Sequence, residues 1–290
     1  MRKVLLTGSD GMLGTDVSEL LATRDDIELI RTSINNLDIT DRYAVKEKIH
    51  SIKPDVIIHT AAFTAVDLAE KEQDKCFSIN VDGTKNIADY CESINAELIF
   101  ISTDYVFDGT KKEPYIESDK RNPINIYGKS KSLAEEVIEH TVPRYKIVRT
   151  SWLNGLSLKY TGNFIEAILR KAKEQSEISV VNDQYGKPTF TFHLAKMLSR
   201  LLDINEYGIF HITNDGKCSW FEFAGEILKQ NKVDGVKLKP IKSDEYPSLV
   251  KRPKNSVLEN QHLKDIKVKL LPHWCEGLKE YFKLKEVKER

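Results

Sequence analysis

A glycine-rich turn between an apolar segment and a helical pattern constrains the fold of this chain more than any other feature. Residues 3–7 (KVLLT) predict a buried strand, and residues 12–23 predict the helix that follows it. The turn between them, TGSDGMLG, contains Gly8, Gly11 and Gly14 in the spacing G-x-x-G-x-x-G. A turn without side chains lets backbone N–H groups and the positive helix end approach a pyrophosphate. The turn therefore predicts a dinucleotide-binding α/β domain, although a tight turn without a ligand has the same pattern.

Short apolar runs alternate with helical patterns through the first half of the chain. Strands are predicted at residues 3–7, 27–31, 55–61, 97–103 and 145–151, and helices at 12–23, 42–52 and roughly 73–94. Strands that are apolar throughout and alternate with helices form a parallel sheet that is covered on both faces. We predict a Rossmann-type doubly wound α/β domain over residues 1–150.

The pattern becomes less regular after residue 151. Helices are predicted at 163–174, 191–203 and 219–230, the last with Ser219 as its N-cap, and strands at 178–183 and 208–213. We predict a smaller C-terminal substrate-binding lobe made of residues 151–187 and 216–290. Late elements near 188–215 are expected to return to the sheet domain.

Charge and composition exclude several classes of protein. Lys and Arg together number 44, as do Asp and Glu, so no excess positive charge is available to hold nucleic acid or anionic lipid. No apolar run approaches the roughly 18 residues of a membrane span. The four cysteines have no C-x-x-C spacing, which favours reduced thiols in a cytoplasmic protein and gives no indication of a metal site.

The end of the second predicted strand bears on the choice of cofactor. Dinucleotide sites often have an acid there for the ribose 2′-hydroxyl, but this chain has Arg31 and Ser33. A cation and a hydroxyl suit a 2′-phosphate and favour NADPH, or the use of both NADPH and NADH, unless Arg31 simply points to solvent. Asp38 is a candidate for binding the adenine amino group, or alternatively for capping the helix that starts near Asp41.

A second group of residues predicts the chemistry. Thr103 and Asp104 follow the strand at 97–103, where strand ends face the ligand crevice. Tyr127 and Lys131 lie four residues apart at the start of the next helix, a spacing that two neighbours on an exposed helix face would also have. A nearby ammonium lowers the pKa of a tyrosine, and a threonine hydroxyl can orient a carbonyl. The set suits hydride transfer to a ketone.

Eight segments resemble the extended short-chain dehydrogenase/reductase superfamily and, within it, the dTDP-4-dehydrorhamnose reductase family. They are TGSDGMLG, LDITD, PDVIIHTAAFTAVDLAE, ISTDYVFDG, PINIYGKSKSLAE, VRTSWL, VVNDQYGKPT and RPKNSVL. HTAAFTAVDLAE and STDYVF together are specific to this branch, and the resemblance covers nearly the whole chain.

The resemblance implies a proton donor at Tyr127, helped by Lys131 and Thr103. With the glycine turn, the expected cofactor-binding residues are Gly8, Gly11, Met12, Leu13, Gly14, Asp38, Ile39, Ala62, Phe63, Thr64, Tyr127 and Lys131. The expected substrate-binding residues are Thr103, Asp104, Trp152 and Arg252. Trp152 would offer an aromatic wall to the sugar unless it is a core residue between lobes, and Arg252 would pair with a diphosphate unless it is an ordinary surface arginine.

The implied activity is NAD(P)H-dependent reduction of the C4 ketone of a nucleotide-linked 4-dehydro-6-deoxyhexose. The favoured case is dTDP-4-dehydro-L-rhamnose to dTDP-L-rhamnose, for cell-surface polysaccharide synthesis. Asn154, where an aromatic residue is common, and the following insertion LSLKYTG leave the hexose open. Talose-type and UDP-linked substrates therefore remain alternatives.

Other activities on the same fold are less well supported. Dehydratases need a second carboxylate after Asp104, but Tyr105 stands there. A non-catalytic protein similar to the regulatory subunit of methionine adenosyltransferase remains open. Glutamates that hold a magnesium ion in some dimeric members have no counterpart at Asp16 or in FTFH (190–193), so no metal is predicted. A homodimer is left open.

Overall fold

A six-stranded parallel sheet forms the centre of the protein in a computed structural model that describes residues 1–156 and 163–288. The strands are β1 Arg2–Thr7, β2 Ile27–Arg31, β3 Val56–His59, β4 Glu97–Thr103, β5 Tyr145–Thr150, β6 Leu153–Asn154, β7 Glu177–Val181, β8 Tyr185–Gly186, β9 Thr189–Phe190, β10 Gly208–His211, β11 Cys218–Ser219 and β12 Lys237–Ile241. The helices are α1 Met12–Leu21, α2 Arg42–Ile52, α3 Val66–Ala69, α4 Gln73–Phe77, α5 Gly83–Ser93, α6 Ile126–Thr141, α7 Phe164–Glu174, α8 Thr191–Leu201, α9 Trp220–Gln230, α10 Gln261–Asp265 and α11 Trp274–Lys288.

The order of strands in the sheet is β10-β5-β4-β3-β1-β2, and every neighbouring pair is parallel. The chain reverses direction across the sheet between β1 and β3, so the carboxyl ends of these two strands flank a crevice. The doubly wound α/β fold predicted from the alternating pattern is confirmed.

Helices cover both faces of the sheet because successive strand residues point to opposite sides. In β1, Val4 and Leu6 belong to the core that includes α1 and α8, whereas Leu5 belongs to the core of α2, α5 and α6. All three side chains are fully buried. This two-sided burial explains why the strands are apolar throughout.

Two late elements join the sheet region after α7 and β7. The strand β10 pairs with β5, with Phe210 opposite Val148, and α8 packs against α1. Before and after them in the chain, α7, α9 and α11 surround a further core with β7 and β12. The predicted N-cap Ser219 forms a capping box with Glu222 at the start of α9. The insertion LSLKYTG lies largely outside the described residues.

The helix predicted over roughly 73–94 contains an interruption that its pattern does not indicate. A π-helical turn, Ser78–Asp82, separates α4 from α5, and the Gly83 N–H bonds to the carbonyl of Ser78. A π turn holds one more residue than an α-helical turn, so side chains on either side of it are rotated relative to an uninterrupted helix. Among the described helices, none is long and apolar enough to cross a membrane.

Candidate active site

A cleft of about 780 Å³ lies at the carboxyl edge of the sheet. It brings together most of the residues expected from the sequence. The expected residues that line it are Gly8, Gly11, Met12, Leu13, Gly14, Asp38, Ile39, Ala62, Thr64, Thr103, Asp104, Tyr127, Lys131 and Trp152. Phe63 and Arg252 are not part of its lining. The strand ends and the glycine turn thus share one concave surface.

Two positions of the glycine turn have room only for glycine. Gly8 has a φ of +66°, and a Cβ there would lie 2.7 Å from the Ala61 nitrogen. A Cβ on Gly14 would lie 2.1 Å from the Gly8 oxygen. Gly11 caps α1 and provides no side-chain hydrogen bond to the amides of the first helical turn. This bare helix N-terminus fits the pyrophosphate of a dinucleotide.

The end of β2 holds the residues that were expected near the adenosine. Ser33 lines the cleft, but Arg31 does not, and its Nη2 donates to the Ser18 carbonyl at 3.3 Å. Asp38 is exposed in the cleft, and one of its oxygens accepts from the backbone and hydroxyl of Thr40. Asp41 is the residue that caps α2. Asp38 is therefore not needed as a helix cap.

Thr103 and Asp104 form the floor of the cleft at the end of β4. The Thr103 hydroxyl donates to Asp104 Oδ1 at 3.1 Å and accepts from the Tyr105 N–H at 3.2 Å. Asp104 is 3% exposed, and its Oδ2 has no hydrogen-bond partner. Burial raises the pKa of Asp104 to about 7, although the hydroxyls of Ser256 and Thr103 oppose the shift. A carboxyl group with a pKa of about 7 titrates within the neutral range.

Tyr127 lies in the first turn of α6, which Asn125 caps by accepting from the Gly128 N–H at 2.7 Å. Burial and the Asp104 carboxylate raise the pKa of Tyr127, and a hydrogen bond with Thr103 lowers it in part. The lowering by Lys131 that the sequence suggested is thus not observed in the protein alone. A protonated phenol beside Thr103 is suited to donate a proton.

Lys131 is 2% exposed, and its Nζ lies 3.9 Å from the centroid of the Phe100 ring. Burial lowers the pKa of Lys131 to about 7, with Glu135 acting in the opposite direction. The aromatic face and the nearby carboxylate both favour the ammonium form. The pair of Tyr127 and Lys131 is therefore not on an exposed helix face, because both side chains line the cleft.

Glu135, one turn after Lys131, is the centre of a buried ionic cluster that the sequence reasoning missed. Arg149 binds it through two nitrogens, with the closest contact at 2.7 Å, and Arg121 binds it at 2.9 Å. The Ser102 hydroxyl donates to its Oε1. Burial opposes ionisation, but Arg149 and Ser102 outweigh it and lower the pKa of Glu135. In the sequence, its spacing of four residues from Lys131 was the signal that could have placed Glu135 beside the site.

Trp152 lines the cleft and also packs against Trp220 and Gly186. It has a φ of +46°, and its ring stacks on Trp220 with centroids 3.4 Å apart. A Cβ on Gly186 would lie 2.4 Å from its Cε2 atom. The indole is held from two sides, which fixes the face that it presents to the cleft.

Arg252 and Phe63 are the two expected residues that lie outside the cleft lining. Arg252 Nη2 bonds to Asp67 Oδ2 at 2.7 Å, and Nη1 donates to Ser248 Oγ at 2.6 Å. Phe63 is 8% exposed, and its side chain packs in a small core with Tyr127. Neither residue is therefore placed to contact a ligand in the cleft as the structure stands.

The chain is similar to known proteins over nearly its whole length. A family model described as RmlD substrate binding domain matches residues 1–287. The spore coat polysaccharide biosynthesis protein SpsK of Bacillus subtilis is 38% identical over 281 residues, which is 97% of each chain.

Two solved structures are also similar. A dTDP-4-dehydrorhamnose reductase from Clostridium acetobutylicum superimposes with a TM-score of 0.94 at 42% identity, over 98% of this chain and 99% of the other. A dTDP-4-dehydrorhamnose reductase from Bacillus anthracis, in complex with NADP, gives 0.92 at 38% identity, over 97% and 99%. With a family model across nearly its whole length and relatives of this similarity, the chain belongs to the dTDP-4-dehydrorhamnose reductase family.

Proposed function

We propose that this protein uses NADPH to reduce the C4 ketone of dTDP-4-dehydro-L-rhamnose to dTDP-L-rhamnose, in the cytoplasm, for cell-surface polysaccharide synthesis. The observation that carries the proposal is that Thr103, Tyr127 and Lys131 share one cleft with the glycine turn. Membership in a family that includes reductases of this name supports it.

Each of these residues has a separate role in the reduction of the ketone. A bound NADPH supplies the hydride that adds to C4. The Thr103 hydroxyl orients the ketone oxygen, and Tyr127 donates its phenolic proton to that oxygen as the C–H bond forms, so the C=O group becomes CH–OH. The Lys131 ammonium stabilises the phenolate that remains.

The preference for NADPH over NADH is the finer part of the proposal. It is supported by the absence of a carboxylate at the end of β2 and by the Ser33 hydroxyl at the cleft. Arg31 would have to leave the Ser18 carbonyl to bind a 2′-phosphate, and the 3.3 Å hydrogen bond between them is weak enough to be exchanged. Titration of the purified protein with each cofactor tests this, with a lower Kd for NADPH as the expected result.

We assign the sugar nucleotide to the space between the sheet domain of residues 1–150, with the elements near 188–215, and the lobe of residues 151–187 and 216–290. Trp152 would cover the apolar methyl and ring face of a deoxysugar, and Asp104 would bond to a sugar hydroxyl. Arg252 would bind the diphosphate at the rim.

The test is consumption of NADPH with a panel of 4-keto nucleotide sugars that includes dTDP-4-dehydro-L-rhamnose, followed by product identification by mass and NMR. The expected result is fastest turnover with this sugar and dTDP-L-rhamnose as product. Faster turnover of a talose-type or UDP-linked substrate would move the assignment to that sugar. If no sugar led to oxidation of NADPH and the protein bound tightly to another protein, a non-catalytic regulatory role would be favoured instead.

A further inference from the structure

The charged side chains that line the cleft are mostly acidic or buried. Asp10 and Asp38 add negative charge where the lining meets solvent, and Asp104 and Lys131 are buried. Lys75 is the one exposed cation among the described residues of the lining, and the sequence reasoning missed it. A dinucleotide carries an anionic pyrophosphate, and its binding is favoured by a positive group that can face it.

Lys75 lies on the β3 side of the crevice where a pyrophosphate is expected. The glycine turn follows β1, and the loop at 62–64 follows β3, so the two form opposite walls of the crevice at the switch point of the sheet. Lys75 belongs to α4, and its Nζ lies 5.9 Å from the centroid of the Phe63 ring in that loop. The ammonium group therefore belongs to the wall that faces the glycine turn.

The present partner of Lys75 can be exchanged. Its Nζ lies 3.1 Å from Glu72 Oε2, and the two side chains are 61% and 38% exposed. Ion pairs that are this exposed contribute little to stability. A phosphate oxygen is a stronger partner, because a bound dinucleotide excludes water from around the pair and the attraction grows as the local dielectric falls.

We propose that Lys75 binds the pyrophosphate of the nicotinamide cofactor, exchanging Glu72 for a phosphate oxygen. This inference rests on the proposed function, because that function puts a dinucleotide in the cleft. The start of α1 supplies uncharged N–H donors, and Lys75 supplies a full positive charge from the other wall. The 2′-phosphate is expected at the end of β2, on the far side of β1 from β3. Lys75 should therefore serve NADPH and NADH equally.

The test is titration of the purified protein with NADPH and with NADH. At about 0.1 M salt, Lys75→Gln should raise the Kd of both cofactors by about tenfold, the equivalent of about 1.4 kcal/mol. Lys75→Arg keeps the charge and should stay within about threefold of the parent. At about 1 M salt, where the Debye length falls to about 3 Å, the parent and the Gln variant should differ by less than about threefold.

Two control variants separate phosphate binding from the ion pair and from net charge. Glu72→Gln breaks the same ion pair but keeps the cation, so neither Kd should rise. Lys85 forms a similarly exposed pair with Asp89 at 2.9 Å and lies outside the cleft lining. Lys85→Gln removes the same charge from the protein and should leave both Kd values within about twofold of the parent. The unfolding midpoints of these variants should stay close to that of the parent.

A third ligand, dTDP, tests whether Lys75 instead binds the diphosphate of the substrate. Lys75→Gln should leave the Kd of dTDP within about twofold of the parent. A rise for dTDP as large as that for the dinucleotides would overturn the proposal, because Lys75 would then act on the substrate or on both ligands. A rise for NADPH without one for NADH would also overturn it, because the 2′-phosphate would be the partner.

The outcomes are distinguishable from those of the proposed function, because every readout is binding. If the parent protein binds both cofactors but reduces no sugar, the proposed function fails and the Kd values still test Lys75. If the parent binds neither dinucleotide, both proposals are overturned. The role of Lys75 alone is overturned if Lys75→Gln gives the Kd values of Lys85→Gln, or if Glu72→Gln raises them as much as Lys75→Gln does.

Discussion

Tyr127 and Asp104 occupy one buried space, and the Thr103 hydroxyl stands between them. The sequence was sufficient to predict Thr103, Tyr127 and Lys131 as neighbours, because their residue types and their places after β4 and at the start of α6 follow from the pattern. It was not sufficient to predict the raised pKa of Tyr127. That shift comes from burial and from the Asp104 carboxylate, which depend on tertiary packing.

Replacing Tyr127 by Phe tests proton donation directly. The ring and its packing are kept while the proton is lost, so kcat should fall by roughly 10²–10⁴-fold, the usual contribution of general acid–base catalysis. The Kd for NADPH should change by less than about threefold. The measurement is single-turnover reduction of the 4-keto sugar together with cofactor titration, and a kcat within about threefold of the parent would contradict the assignment.

Replacing Asp104 by Asn should change how stability depends on pH. Asp104 has a pKa of about 7 in the folded protein, against 3.8 for an ordinary aspartate. Between these values the folded state holds more protons than the unfolded state, so its contribution to stability falls as pH rises from about 4 to about 7 and is flat above. The Asn variant lacks this pH-dependent loss of unfolding free energy. Because each pKa unit corresponds to about 1.36 kcal/mol, the loss in the parent is on the order of 1–4 kcal/mol.

Urea unfolding at about pH 5 and about pH 8 measures this effect, because the free energies of parent and variant are compared at each pH. The variant should gain stability relative to the parent at the higher pH. A difference between the two proteins that is the same at both pH values would show that Asp104 is already ionised at the lower one.

The sequence predicted the bounds of some helices and strands better than those of others. The bounds of β4 and α2 match the predictions of 97–103 and 42–52, since burial of a regular face leaves a regular apolar pattern. The apolar pattern of the sequence does not indicate the π turn at Ser78–Asp82. One extra residue in a helix shifts the apolar pattern only slightly, and Asn80 reads as a polar residue in a helix until its partners after β3 and on α6 are known.

The ionic cluster between α6 and β5 should be essential for stability at the level of these elements. Arg149 is 1% exposed and binds Glu135, which is fully buried, through two nitrogens. Arg149→Met would leave Glu135 with Arg121 and Ser102 alone, so a loss approaching the roughly 3–5 kcal/mol of a broken buried pair is expected in urea unfolding.

The double variant Glu135→Gln/Arg149→Met is the control, because it removes the buried charge as well as its partner. It should recover part of the lost stability, as buried pairs replaced by neutral groups often do. A double variant less stable than Arg149→Met alone would mean that Arg121 and Ser102 stabilise the charge on Glu135 by more than its burial costs.

At the scale of the whole molecule, the cleft depends on contacts between residues that are far apart in the sequence. Arg252 joins Asp67 across 185 positions, and Trp152 is held by Trp220 and Gly186. No periodicity in the chain could reveal these pairs, because each joins residues on separate elements of the fold. The sequence therefore predicted most of the residues that surround the cleft, but few of the contacts between them.

The contact between Arg252 and Asp67 leads to a prediction that separates binding of the two ligands. The Asp67 side chain is 65% exposed, and exposed ion pairs contribute only about 0–1 kcal/mol, so a substrate diphosphate can replace Asp67 as the partner of Arg252. Arg252→Gln should therefore raise the KM for the nucleotide sugar by about 10–150-fold, as expected for loss of charged hydrogen bonds of about 1.5–3 kcal/mol. The unfolding midpoint should change little.

Binding of the cofactor provides the contrast, since Arg252 lies outside the lining that the dinucleotide is expected to occupy. The Kd of the Arg252→Gln variant for NADPH should stay within about twofold of the parent. Asp67→Asn is the matched variant, because it frees Arg252 from its present partner and should lower the KM for the sugar nucleotide. If Arg252→Gln weakened NADPH binding and left the KM for the sugar unchanged, the guanidinium would belong to the cofactor end of the cleft, and the smaller lobe would lose its assigned contact with the diphosphate.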